Sequence, residues 1–412
     1  MGVTSITRGA GLWWPAVLLG LATIGAYGTV YYAIGVLIPE ISSDTGWSAG
    51  ALSGAFSLAT LGQGAVALAA GNVLDRRGSR LVLLPCLFSG ALLLLLASFA
   101  GRQWEFVVCW AAGGAAIGGG TFYNVTMPVT ARIYASRRSA AFSVLTLLGA
   151  LASPIFYPLA GWLIDISGWR TALRILVALT VALAAPAALL VQSRPSGVKE
   201  SRVARDVRGE VREPKVHRAL LVFALASFAS SGLLLHQVSA MRAAGISIAL
   251  ASVFAGARGA FQIPGRLFLS PLVARLGVRT TMAFCYGLAA TAVLALLMAL
   301  VTSHPDVPVT YFAIVGGISL GLLSPLNGLF QVEAFGEERL GVLSGLTVVV
   351  TSAAAASGAF AIGLALDATG SYDIPLIAVM AVQAMAIGAL IWQGRAASSR
   401  QVAAIINIED VG

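Results

Sequence analysis

The sequence predicts an all-α membrane protein with twelve transmembrane helices in two six-helix, pseudo-symmetric bundles. Three observations carry that expectation. Twelve apolar stretches recur along the 412 residues, most about 20 residues or longer, enough to cross a hydrocarbon core of about 30 Å. The composition is 58% hydrophobic and 10% charged, far less charge than a soluble surface of this size needs. The second half of the chain also repeats turn motifs of the first.

In order, the spans are 13–39, 49–73, 80–100, 104–128, 139–164, 170–192, 219–241, 248–273, 280–301, 309–330, 341–366 and 372–392. The first is too long for a signal-peptide core and has no clear small-residue cleavage site behind it, so it is expected to remain as a helix. With the N-terminus inside, the inner turns and tails hold 20 of the 26 Lys and Arg residues. The outer loops hold only Arg102, Arg170, Arg174 and Arg242. The positive-inside rule then places both termini in the cytoplasm, in a multi-pass protein of the cell (inner) membrane. The stretch 194–218 is charged and poor in aromatics, and reads as a flexible cytoplasmic linker. The expected organisation is an N-terminal bundle over 1–193, that linker, a C-terminal bundle over 219–394 and a cytoplasmic tail over 395–412.

The net charge of +9 does not mark a nucleic-acid binder, because the basic residues sit in short turns without interleaved aromatics. Cys86, Cys109 and Cys285 lie in or at the ends of spans, with no metal-ligand spacing and no disulfide framework. The chain has no GxxxxGK[ST] phosphate loop and no nucleophile triad, so neither ATP drive, enzyme chemistry, metal nor cofactor is expected.

The turn after span two reads Gly71-Asn-Val-Leu-Asp75-Arg76-Arg77-Gly78-Ser79-Arg80. The turn after span eight reads Ser270-Pro-Leu-Val-Ala274-Arg275-Leu276-Gly277-Val278-Arg279. Arg76, Gly78 and Arg80 match Arg275, Gly277 and Arg279. Gly161-Trp-Leu-Ile-Asp165 at the end of span five likewise matches Gly363-Leu-Ala-Leu-Asp367 at the end of span eleven. Repeats of this kind build two bundles that rock around a central site. On the residues Gly71, Asp75, Arg76, Gly78 and Arg80, and on the layout of six spans, linker and six spans, the chain resembles the major facilitator superfamily. That resemblance implies a secondary transporter, expected as a monomer, in which the Asp75 turn is a conformational latch. Physically, a carboxylate at a helix end can pair with basic or helix-N-terminal groups of the neighbouring bundle in one state only. The second copy has Ala274 in place of the aspartate.

The candidate substrate site starts from two arginines inside span eight. Arginine at the centre of a span costs at least about 2.5–3.5 kcal/mol to insert, so a pair needs a reason. Arg258, Gln262 and Arg266 stand at i, i+4 and i+8, on one face of a continuous helix. No Asp or Glu lies in the hydrophobic middle of any span, which points to an anionic cargo as counter-ion. His236 is the only histidine inside a span, at a depth similar to Arg258, and is the candidate proton carrier. Tyr123 and Asn124, after the glycine run 113–120, are candidate ligands because small residues leave room for a cavity; Tyr31 and Asn327 join them. Pro154 and Pro325 are expected to kink their helices.

Span eight also resembles that of monocarboxylate transporters and oxalate/formate exchangers, which place a substrate-binding arginine four residues before the second loop motif. Arg266 stands four residues before Ser270 here. Gln262 one turn earlier, Leu235-His236-Gln237 in span seven and Phe335-Gly336-Glu337-Glu338-Arg339-Leu340-Gly341 extend that likeness. The resemblance implies a small monocarboxylate cargo, lactate- or pyruvate-like, with a proton as co-substrate. The chain departs from those families in having no lysine in spans one or eleven and no aspartate beside the span-eight arginine. The alternatives are an exchanger or efflux transporter for another organic anion or a lipophilic drug, and a transporter-like receptor. Ser153-Pro154 and Pro158 match a glycine–proline antiporter motif poorly, and the linker and tail are short for a signalling domain.

Overall fold

A computed structural model describes residues 13–193, 213–336 and 340–409. Most of the expected linker (194–212), the loop residues Glu337, Glu338 and Arg339, and both chain ends lie outside the described residues. All regular structure among the described residues is helical. Among the described residues, ten helices are long and apolar enough to cross a membrane. One of them, Arg138–Leu190, breaks at Gly168 into spans five and six. Leu269–Ala299 breaks at Gly277, and the leg before that glycine completes span eight after Ile248–Ala260 and Gln262–Leu267. The described helices therefore make twelve segments, as the hydropathy pattern predicts. The seventh begins at Pro214, inside the stretch read as linker, and the last runs on to Glu409, through most of the expected tail.

Glycine sets the turns. All seven residues with positive φ among those described are glycines, and six of them pair across the halves: Gly46 with Gly245, Gly78 with Gly277, and Gly168 with Gly370. At Gly78 (φ 86°) and Gly277 (φ 76°) the chain reverses between adjacent helices in a backbone conformation that a Cβ would oppose. The internal repeat of the sequence is thus a repeat of turns first.

Four segments are interrupted near mid-length. Span one is α-helical over Trp14–Tyr27, widens to a π-turn over Gly28–Ala33, and resumes over Ile34–Thr45. Span four breaks at Phe122, between Gln103–Thr121 and Tyr123–Ile133, where the backbone is extended. Span five breaks at Leu151, between Arg138–Ala150 and Ala152–Leu190. Span eight breaks at Phe261. Broken backbone at membrane depth is tolerated where it faces protein or a water-filled cavity. Pro154 stands just after the break at Leu151, as a hinge requires, whereas Pro325 lies inside an unbroken helix, Asp306–Phe335. The glycine run 113–120 does not open a cavity. Its residues let span four pack closely on spans two and three: a Cβ at Gly118 would meet Gln63 at 2.9 Å, and one at Gly113 would meet the Gly90 carbonyl at 3.0 Å.

The halves meet at the ends away from the arginine-rich turns. Span two crosses span eleven there, with Gly363 against Ser53 and the Ala49 carbonyl. Span five crosses span eight at the matching place, with Gly161 against Ser252 and Gly256 against Pro158. Span one meets span seven through Gly35, where a Cβ would lie 2.7 Å from the Leu235 carbonyl oxygen. Glu40 and Arg242 pair across this seam at 3.0 Å. Toward the arginine-rich end the same four crossing spans diverge, and Leu68, Leu147, Leu267 and Val348 are exposed on them. The molecule is closed at one end and open at the other.

Candidate substrate site

Arg266 sits on the short helix Gln262–Leu267, below the break in span eight, in the open half of the molecule. It is exposed and makes no hydrogen bond or ion pair with the described residues. Counted down both helices from the contact of Gly259 with Ser153, Arg266 lies within about a turn of the level of Gly149 of span five, against which the Tyr123 hydroxyl of the other half packs. Gln262, one turn earlier, is half-buried. Spans eight and ten run parallel in a register that sets Arg258 beside Gly316 and Gln262 beside Gly321. Continuing it brings Asn327, half-buried with a buried Oδ1, within about a turn of the level of Arg266.

Arg258 does not share that face. The break at Phe261 interrupts the helical register between the two arginines, and Arg258 is only 7% exposed. Its Nη1 donates to Gln237 Oε1 at 3.0 Å, and its guanidinium lies 5.1 Å from the centre of the Phe312 ring. Gln237 Nε2 in turn donates to the Tyr157 hydroxyl at 2.7 Å, and that hydroxyl donates to the Leu234 carbonyl at 3.2 Å. This relay ties span eight to span seven and across to span five. The arginine without an acidic partner is thus neutral-partnered, and it forms part of the roof where the halves close. Gln237 is the residue the sequence reading passed over; its place directly after His236 in an apolar span was the available signal.

His236 is buried at the closed seam, apart from Arg266. Its Nε2 lies 3.0 Å from Ser53 Oγ of the other half and 3.3 Å from the Ala359 carbonyl, and its Nδ1 lies 3.3 Å from the Tyr372 hydroxyl. One helical turn toward the closed end, Asp367 caps span two across the halves. Its Oδ1 accepts from the Ala49 N–H at 2.8 Å and its Oδ2 from the Gly50 N–H at 2.9 Å. His236 and Gln237 thus serve different contacts: adjacent residues of one helix point about 100° apart, so Gln237 meets Arg258 while His236 meets span two at the seam between the halves.

Tyr31 is half-buried on the π-turn of span one, within an aromatic cluster with Tyr27, Tyr32 and Phe56. Asn124 is exposed, but its Nδ2 donates to the Gly119 carbonyl at 2.7 Å, across the break in span four. That bond satisfies a carbonyl which the extended residue Phe122 deprives of its helical partner. At the arginine-rich end, Asp75 pairs with Arg132 of its own half, and Arg132 Nη1 also donates to the Leu74 carbonyl at 3.0 Å. Gly71 has open space around it, Gly78 makes the turn, and Arg76 and Arg80 are exposed. In the second half, where the aspartate is missing, Arg279, the residue that matches Arg80, pairs with Glu333 at 2.7 Å.

Two pseudo-symmetric six-helix bundles, joined at one end and apart at the other, with four spans broken near mid-length, have the build of a membrane transporter. The chain belongs to the Major Facilitator Superfamily, whose family model matches residues 19–359. Solved structures agree in fold. The nucleoside transporter NupG superposes with a TM-score of 0.78 at 13% identity, over 92% of this chain and 98% of that one. A D-xylose-proton symporter gives 0.70 at 13% identity, over 92% and 96%. An inward-facing, unoccupied bacterial homolog of the human lysosomal transporter Spinster gives 0.67 at 13% identity, over 95% and 96%. No curated protein matches the chain in sequence. These likenesses establish the superfamily and give no support to the monocarboxylate or oxalate/formate branch.

Proposed function

We propose that this transporter moves an organic monocarboxylate across the cell membrane by alternating access, with a proton as co-substrate. The observation that carries the reading is Arg266: an exposed guanidinium inside the open half, without a protein partner among the described residues, within about a turn of the level at which the Tyr123 hydroxyl packs in the opposite bundle. A carboxylate there gains a charge-assisted, bidentate contact and links the two halves through one ligand. Tyr123, Gln262 and Asn327 supply further polar contacts, and Tyr31 an apolar wall. Arg258 holds the roof. By the positive-inside rule the open end faces the cytoplasm. The proton acts through His236 at the gate, where a second ring proton gives Nδ1 a donor in place of an acceptor toward Tyr372. A proton symporter of sugar among the structural neighbours is consistent with that coupling.

The test is uptake and equilibrium binding of labelled carboxylates in proteoliposomes. Arg266→Ala is expected to abolish both while the protein still inserts and elutes as a single species. Arg266→Lys is expected to fail as well, because a point charge does not reproduce the guanidinium fork. Normal uptake by the alanine variant removes Arg266 from the site.

A further inference from the structure

The wall facing Arg266 is longer and more aromatic than a three-carbon acid needs. Starting at Tyr123, ring centres step 5.4 Å to Tyr27, 6.0 Å from there to Tyr31 and 5.6 Å on to Tyr32. All four rings are partly exposed, although they sit deep in the bundle where spans one and four are broken. A ring surrounded by protein yet reached by solvent lines an internal cavity and not the lipid face. A back row holds them in place. Phe122 stacks on Tyr27 at 3.7 Å, Phe56 tilts against Tyr31 at 5.3 Å and Tyr157 against Tyr32 at 5.3 Å, and all three backing residues are buried.

The backbone explains the row. The π-turn over Gly28–Ala33 widens span one by a residue, so that Tyr31 and Tyr32 fall on either side of the line from Tyr27. Gly28 lets the Phe156 ring pack directly on the helix, which fixes the turn from behind. Neighbouring rings in the front row meet edge-to-face or tilted, 72° between Tyr27 and Tyr31 and 87° between Tyr31 and Tyr32. Alternating faces and edges of this kind offer an incoming ring both an offset face and a hydrogen-bearing edge.

We propose that the cargo is a ring-bearing carboxylate, an aryl or arylalkyl monocarboxylate, with its carboxylate on Arg266 and its ring against Tyr27 and Tyr31. This rests on the reading of Arg266 as the anion contact and narrows the cargo within it. A lactate-like acid extends roughly two carbon–carbon bonds, about 1.5 Å each, beyond its carboxyl carbon. That reach is shorter than the first step of the row alone, 5.4 Å from Tyr123 to Tyr27. An arylalkyl acid is longer and carries a ring of its own that can pack against the second and third rings.

The experiment is counterflow and competition in proteoliposomes with phenylacetate and indole-3-acetate against lactate and pyruvate, and with uridine as a neutral planar probe. The expected result is at least tenfold stronger competition by the aryl acids than by the aliphatic ones. Tyr31→Ala is expected to cut that ratio about tenfold, and Tyr31→Phe to keep it. Should Tyr31→Ala fail to insert, the parent's own selectivity ratio and the Tyr31→Phe variant still decide. Equal or better competition by lactate and pyruvate, with Arg266→Ala still inactive, overturns the aryl assignment and leaves the anion site standing. Exchange of uridine alone, unaffected by Arg266→Ala, overturns both.

Discussion

Asp367→Asn isolates the clasp at the closed end. The carboxylate accepts two backbone N–H groups at the start of span two, at 2.8 and 2.9 Å, from across the seam. Hydrogen bonds to charged groups contribute about 1.5–3 kcal/mol in protected sites, and an acidic group at a helix N-terminus adds about 0.3–1 kcal/mol. Asp367 is exposed to water, so screening brings the whole interaction to about 1–2 kcal/mol. Asparagine removes the charge, and its amide keeps an acceptor for one N–H while presenting a donor to the other. The loss falls on the closed state alone, because opening separates span two from span eleven. The ratio of closed to open molecules should therefore drop about 5–30-fold. The assay is the distance distribution between spin labels at Gly101→Cys and Ser303→Cys, on outer loops of the two halves, with Cys86, Cys109 and Cys285 replaced by serine. A longer population is expected to grow in Asp367→Asn. The internal control is Asp165→Asn. Asp165 holds the matching place in the repeat but makes no hydrogen bond or ion pair with the described residues. A distribution unchanged in Asp367→Asn, or shifted as far by Asp165→Asn, refutes the clasp.

Three further outcomes are expected. Asp75→Asn should slow turnover several-fold in a transport time course and leave equilibrium binding of the cargo within about twofold, because Asp75 pairs with Arg132 at the arginine-rich end; binding that collapses with transport contradicts this. His236→Gln should retain binding and exchange but lose accumulation under an imposed pH gradient, since a glutamine can bridge Ser53 and Ala359 without titrating; undiminished accumulation makes the histidine structural and the protein an exchanger. Gly35→Ala should disfavour closure by about 1–3 kcal/mol, the usual cost of overpacking, because its Cβ would lie 2.7 Å from the backbone oxygen of Leu235. Increased labelling of outer-seam cysteines measures this, and parental labelling rates count against it.

The number of segments, their order and the two-bundle repeat were legible in the sequence, because hydrocarbon thickness forces apolar runs of a given length and tight reversals need glycine at positive φ. Gly78 and Gly277 announced their turns before any coordinates. Arg266 was singled out by its spacing to the second loop motif; it lies exposed in the open half, with no hydrogen bond or ion pair to the described residues. The roles of Arg258, Gln237, His236 and Asp367 were not legible. Each depends on a partner between 21 and 318 residues away in the chain. Span eight read as one continuous helix gave both arginines a common face; only packing against Gly316, Gly317 and Gly321 of span ten, with the break at Phe261, buries Arg258 at the roof and leaves Arg266 exposed in the open half. Sequence periodicity determines which residues a helix can offer. Where the helix breaks, and which neighbour a polar side chain meets, is decided by tertiary packing, because a buried hydrogen bond is fixed by whatever donor or acceptor the facing helix supplies.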